Sequence, residues 1–336
     1  MSEIGQVAVA VPVRNEVARL SRLLNALAAQ RGTPGFVLCL FLDSCTDGSI
    51  DLVTSRAPFL PFRLETERCA AGLAPNAGRA RGRAMALAAA AAPHGILLTT
   101  DADGEPAPEW IAANLAGLIG ADLVAGRVIR GRGPSSATQD RIELYYDRLH
   151  AIRRTIDPVE WDGSPAHHWT SGASLALRAT TYNALGGFAP LANGEDAALC
   201  DHAMRSGYRV RRDAGVVVRT SSRRRGRADR GMAAMLAAFD QGAGPPVVAH
   251  PEDEAWRFRM QADARRLHGS GDYDGLSSRL RLATAEVAQV AGECRNGEAF
   301  AARIVGAPPG GMRMVSLGHA ELLLAALEDV QLEGAA

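Results

Sequence analysis

The chain has 336 residues and balances 37 Lys plus Arg against 37 Asp plus Glu, so no overall field draws it to nucleic acid or to an anionic membrane. A hydrophobic content of 47% is ample for a core, and the length allows one large domain or two of about 100–200 residues. Cys39, Cys45, Cys69, Cys200 and Cys294 are scattered without a Cys-x-x-Cys pair, which argues against a zinc site and predicts reduced thiols in a cytoplasmic protein.

Val7 to Val13 is a continuous apolar run, as expected of a strand covered on both faces. It ends at Pro12-Val13-Arg14-Asn15-Glu16. Leu20, Leu23, Leu24 and Leu27 then recur at helical spacing, with Arg19, Arg22 and Asn25 on the other side. Phe36 to Leu42 predicts a second buried strand. Asp43-Ser44-Cys45-Thr46-Asp47-Gly48-Ser49 follows, rich in helix-starting residues, and Ile50 opens the helix. Phe62 to Thr66 predicts a shorter third strand. A loop with Gly72, Pro75 and Gly78 leads through Arg79-Ala80-Arg81-Gly82-Arg83 into an alanine-rich helix from Ala84 to Ala92. Ile96 to Thr100 predicts a fourth strand, Pro108-Glu109-Trp110 a helix start, and Ala121 to Val128 a fifth strand. Strands alternating with helices predict an α/β fold with a doubly wound parallel sheet.

After Val128 the rhythm changes. A helix is expected through Ile142, Tyr145, Leu149 and Ile152, then an irregular stretch with Trp161, His167, His168 and Trp169. Ser174 to Arg178 predicts a strand, Thr180 to Leu185 a short helix, and Gly194-Glu195-Asp196 opens a helix closed by Gly207. Tyr208 to Arg212 and Val216 to Thr220 are strand-like. From about Asp229 onward only helical patterns are seen, broken at Gly242 to Pro246, Gly269 to Gly271 and Ala307 to Gly311. No uncharged apolar run reaches about 18 residues, so no membrane span is expected, and the first residues lack a signal-peptide pattern.

The stretch with the most chemistry is Thr99-Thr100-Asp101-Ala102-Asp103-Gly104-Glu105-Pro106. If the backbone stays extended, residues two apart project to one side, so Asp101 and Asp103 converge beyond the end of a buried strand. Open α/β sheets place their ligands there. Two hard carboxylate ligands suit Mg²⁺ or Mn²⁺, which completes its shell with water and substrate phosphates. The competing reading is a polar turn.

Four segments in order, Val11-Pro12-Val13-Arg14-Asn15-Glu16, Leu42 to Ser49, Asp101-Ala102-Asp103 and Gly194-Glu195-Asp196, resemble a family 2 glycosyltransferase of the GT-A fold. The resemblance covers roughly residues 7–230 and implies a GT-A-like, mostly parallel doubly wound sheet flanked by helices. Residues 1–230 would then be the catalytic domain, with 1–128 as nucleotide-sugar half and 129–230 as acceptor half; 231–336 would be a C-terminal helical subdomain. It further implies that Pro12, Arg14, Glu16 and Asp43 hold the nucleoside of a UDP- or GDP-type sugar donor, and that Arg79 and Arg83 lie near its diphosphate. Asp101 and Asp103 would hold the metal, with Asp101 also toward the nucleoside. Asp196 would be the base beside Glu195, and Arg223 and Arg227 would belong to a basic loop closing on the donor. Leu42 stands where the family often has a second aspartate, which leaves the base of the nucleotide open.

The implied reaction is inverting, metal-dependent transfer of a sugar to an acceptor hydroxyl on a small molecule, glycan or lipid-linked carrier. A carboxylate must take the proton of that hydroxyl, and a cation must meet the charge growing on the diphosphate. Simpler roles compete: Asp196 as a helix cap, Glu16 as a first-turn acid, Asp47 as a turn residue, Arg223 to Arg227 as a solvated loop. Two other functions are weighed. One is a catalytically silent sugar-nucleotide-binding or scaffold protein. The other is a sugar-phosphate nucleotidyltransferase, disfavoured because no glycine-rich loop follows Val13. The helical tail is a candidate homodimer or acceptor surface, and a peripheral place at a membrane stays open.

Overall fold

Val7–Val13 forms the first strand, β1, and is buried along almost its whole length. Its odd residues are valines and its even ones include Ala8 and Ala10, so the two sides of the sheet differ in depth. The valine side packs on Leu20, Leu23, Leu24 and Leu27 of α1 (Val17–Ala28) and on Trp110 and Ile111 of α4 (Trp110–Gly120). The shallow side takes α3 (Ala77–Ala91), whose buried stripe of Gly78, Ala80, Ala84 and Ala88 permits close approach. The computed structural model describes residues 6–69, 74–131, 136–221 and 246–333.

The remaining elements of this part are β2 (Phe36–Asp43), α2 (Ser49–Arg56), β3 (Arg63–Cys69), β4 (Ile96–Thr99), β5 (Glu105–Pro106), β6 (Leu123–Arg130), β7 (Leu175–Arg178), α6 (Ala179–Ala184), α7 (Glu195–Arg205) and β8 (Val210–Thr220). They build an eight-stranded sheet in the order β3-β2-β1-β4-β7-β6-β8-β5. Strands β3, β2, β1 and β4 are mutually parallel, as the alternating rhythm predicts. β7 enters antiparallel between β4 and β6, and β5 pairs antiparallel with β8. The order reverses direction between β1 and β4. That is the switch point where two crossovers leave on opposite sides and a crevice opens at the strand ends.

Two expectations are corrected. Tyr208 to Thr220 is not two strands but one, β8, with a register shift opposite Gly126 and Arg127 that accommodates the polar Asp213-Ala214-Gly215. The acidic pair is not in extended backbone. The Gly104 amide donates to the Asp101 carbonyl at 2.9 Å, closing a tight turn, because the chain must reverse at once to pair β5 with β8.

The chain divides into two compact units. The first comprises 1–133, 169–200 and 210–237, and the second 134–168, 201–209 and 238–336. The second unit contains α5 (Ser136–Ile156), α8 (Pro251–Leu267), α9 (Asp274–Leu280), α10 (Thr284–Glu293), α11 (Gly297–Ile304) and α12 (Leu317–Glu333). It is not purely helical: β9 (Val247–Ala249) and β10 (Met314–Ser316) form an antiparallel pair, too short for a period-two pattern to register in the sequence. Arg141 and Arg148 of α5 meet Glu321 and Glu328 of α12. Both pairs advance by seven residues, so these helices run parallel past each other over Tyr145, Leu149, Leu317 and Leu324. Arg265 lies half-buried between Asp157 and Glu298.

Candidate active site

The strand ends at the switch point carry most of the acidic motif residues. β1 leads into Arg14 and Asn15, and β2 ends at Asp43 and leads into Ser44. Asn15 and Ser44 both have left-handed backbone, φ 53° and 52°, which turns each chain sharply off its strand. Arg14 Nη1 lies 3.0 Å from Asp43 Oδ2, and Ser44 Oγ donates to Asp43 Oδ1 at 3.2 Å. Pro12 sits in register with Phe41. Glu16 is buried, and its amide donates to Ser49 Oγ. Asp47 has a turn-and-cap role, accepting from the amides of Val17 and Ser49 and from Ser49 Oγ. Burial acts to raise its pKa, but these hydrogen bonds outweigh it and hold the carboxyl below its usual value.

Asp101 and Asp103 flank Ala102, which is buried in the core while both acids are half-exposed. Asp101 Oδ1 accepts from Arg81 Nη2 at 2.8 Å, and Asp103 Oδ2 accepts from Ser221 Oγ at 2.6 Å. Arg81 is the residue that sequence reasoning missed. It leaves α3 on the buried face and makes four contacts: Nε to Glu195 Oε1 at 3.0 Å, Nη1 to Thr99 Oγ1 at 3.1 Å and to the Gly172 carbonyl at 2.8 Å, and Nη2 to Asp101. Burial works against its charge, but Asp101 and Glu195 prevail and hold its pKa above the ordinary guanidinium value.

Gly172 closes the network from the other side. Its carbonyl accepts from Arg81 while its amide donates to Asp196 Oδ2 at 2.7 Å. The Ala197 amide donates to Asp196 Oδ1, so both oxygens are oriented by backbone. The loop before Glu195 is itself clamped onto the start of α3. Gly78 donates to the Leu191 carbonyl and Asn76 Nδ2 to that of Pro190. A Cβ on Gly78 would lie 2.1 Å from the Ala189 carbonyl oxygen, so only glycine fits.

The structure therefore brings Asp101, Glu195 and Asp196 onto one frame through Arg81 and Gly172. Arg79 and Arg83 point elsewhere: Arg79 Nη2 donates to the Ala74 carbonyl, and Arg83 meets Glu67 on β3. One signal for Arg81 was available. Gly78, Arg81, Ala84, Met85 and Ala88 fall on one helical stripe, and an arginine within such a small apolar stripe needs buried partners. Arg223 and Arg227 lie outside the described residues. In the second unit, His168 Nδ1 is 2.8 Å from Asp147 Oδ1, and His250 caps α8 by accepting from the Glu252 amide. Among the described residues no three His, Cys, Asp or Glu side chains gather as a metal cage.

A sheet with this switch point and acids at its strand ends is that of the GT-A glycosyltransferases. The structure of S. aureus TarS 1-349 in complex with UDP-GlcNAc is similar, with a TM-score of 0.51 at 16% identity, covering 82% of this chain and 76% of that one. So is mannosyltransferase PcManGT from Pyrobaculum calidifontis in complex with GDP-Man and Mn²⁺, with a TM-score of 0.50 at 18% identity, covering 98% and 81%. These identities speak for the fold. No curated protein matches the sequence. The profile of glycosyl transferase family 2 matches residues 8–174, so the chain carries a domain of that family there: it is a glycosyltransferase. No helix among the described residues is long and apolar enough to cross a membrane.

Proposed function

We propose that the chain transfers a sugar from a UDP- or GDP-type donor to an acceptor hydroxyl with inversion, assisted by Mg²⁺ or Mn²⁺. The observation that carries this reading is the Arg81–Gly172 frame, which locks a carboxylate of the acidic turn and the Glu195-Asp196 pair into one rigid arrangement. Precision of this kind is what bimolecular transfer requires.

The residues present fit a divalent cation. Arg81 contacts Asp101 and Glu195, while Asp196 is held by backbone amides and Asp103 accepts from Ser221 Oγ, so the frame and its turn carry more carboxylates than the one guanidinium at their centre. Hard cations of this type need only one or two protein carboxylates when substrate phosphates complete the shell. Asp101 and Asp103 would hold the ion, which when bound would neutralise charge on the departing diphosphate. Asp196 accepts the proton of the acceptor hydroxyl. Its plane is set by the Gly172 and Ala197 amides, and attack from the side opposite the leaving group inverts the anomeric carbon. Arg14, Asp43, Pro12 and Glu16 form the nucleoside end, where the Arg14–Asp43 pair offers both donor and acceptor to a base. Arg81 is the buried cation that the site acids face, with Arg79 and Arg83 outside it; Arg223 and Arg227 keep the donor-closing role that the family resemblance suggests.

The test is Asp196→Asn, with UDP and GDP sugars screened by thermal shift in the presence of Mn²⁺. The variant is expected to retain the donor-induced shift and to lose transfer. Turnover at the wild-type rate would reject the assignment of the base.

A further inference from the structure

The contact between Ser221 and Asp103 lies just beyond the paired ends of β5 and β8. β5 pairs antiparallel with β8 through Glu105 opposite Arg219 and Pro106 opposite Val218. The same register extends past the Ala107 amide, which donates to the Val217 carbonyl at 3.0 Å. In the other direction β5 ends at Glu105, and the turn that carries Asp103 lies beside the end of β8 at Thr220. The strand is pinned on its far side too: Arg130 of β6 pairs with Thr220, and the Gly131 amide donates to the Thr220 carbonyl at 3.1 Å. Ser221 thus extends a strand held from both edges, and its hydroxyl reaches Asp103 Oδ2 at 2.6 Å.

We propose that Ser221 is a positioning residue for the divalent cation, acting through Asp103; this rests on the metal-assisted reading above. A hydroxyl donating to one carboxylate oxygen fixes the plane of the group and the direction in which it offers its lone pairs. Asp103 sits in a tight turn and is half-exposed, and Ser221 Oγ holds one of its two carboxylate oxygens. Removing such a partner from a metal-ligating carboxylate typically costs about 10–100-fold in metal affinity. With the acid half-exposed, the lower end of that range is expected.

The experiment is Mn²⁺ binding to donor-free protein, read as loss of the free-ion EPR signal, for wild type, Ser221→Ala, Ser221→Thr and Asp103→Asn. The proposal expects Mn²⁺ affinity to fall about tenfold in Ser221→Ala, to recover in Ser221→Thr, and to be lost in Asp103→Asn. Melting temperatures recorded alongside separate a lost ligand partner from a lost fold. Equal Mn²⁺ affinity in wild type and Ser221→Ala would overturn the role of Ser221 and leave the cation reading intact. Weakened binding that Ser221→Thr fails to restore would also overturn it, since the hydroxyl would not be the cause. Wild-type protein that binds no Mn²⁺, alone or together with UDP or GDP, would overturn both.

Discussion

Gly172 is the position where a single methyl group tests the whole frame. A Cβ there would lie 2.4 Å from Arg81 Cζ and 2.6 Å from Nε and Nη2, well inside contact distance. A flexible arginine could swing away, but this one is held by Glu195, Thr99, Asp101 and the Gly172 carbonyl. In Gly172→Ala the guanidinium must leave Glu195, and both side chains of that pair are under a tenth exposed. Losing one partner of a buried ion pair costs about 3–5 kcal/mol. Here the charge is displaced rather than deleted, so about 2–3 kcal/mol is expected from this contact. The Asp101 pair, with the acid's side chain 35% exposed, adds less than about 1 kcal/mol. The sum, about 2–4 kcal/mol, corresponds to a fall of roughly 5–10 °C in melting temperature. Transfer should fall further, by about a hundredfold, because the amide that orients Asp196 moves as well. The control is Gly120→Ala, whose Cβ meets nothing within 4 Å and which should be stabilising by up to about 1 kcal/mol. Denaturant unfolding and transfer assays on the two variants check this. A Gly172→Ala protein as stable and active as wild type would refute the claim that the frame is rigid.

Arg81 and Asp47 each give a further expected outcome. Arg81→Lys keeps the charge but replaces a planar fork with a single ammonium that cannot serve Glu195, Asp101, Thr99 and Gly172 together, so it should melt lower and lose at least about tenfold in transfer; near-wild-type activity would show that only the charge matters. Asp47 has a folded-state pKa below its ordinary value of 3.8. It therefore contributes stability that is complete above the unfolded value and is lost as pH falls through the lower folded one. Asp47→Asn should lower the melting temperature at pH 6, and the gap to wild type should close as pH falls through the lowered folded-state value; a gap independent of pH would mean that the hydrogen bonds do not depend on the charge.

Much of the first unit is legible in the sequence because burial on both faces erases alternation. Val7–Val13 and Phe36–Asp43 read as strands for that reason, and the four-leucine stripe of α1 matches its buried face. The acids at the strand ends are also legible, since Asp101, Asp103, Glu195 and Asp196 stand where strands or loops give way. Arg81 is not. Three arginines at alternate positions look equivalent in sequence, and which one is buried depends on Glu195, 114 residues away.

The local pattern of apolar and polar residues by itself determined most of the strands and helices of the first unit and where the acidic residues sit along them, because those choices are decided over a few neighbouring residues. Only the tertiary structure decided that β7 enters antiparallel, that the acidic pair lies in a turn, that Arg81 rather than Arg79 or Arg83 faces the acids, and that Ser221 meets Asp103. All but the turn, which the pairing of β5 with β8 imposes, bring together residues distant in the chain. Their energies arise from burial and charge at contacts that do not exist until the sheet has closed.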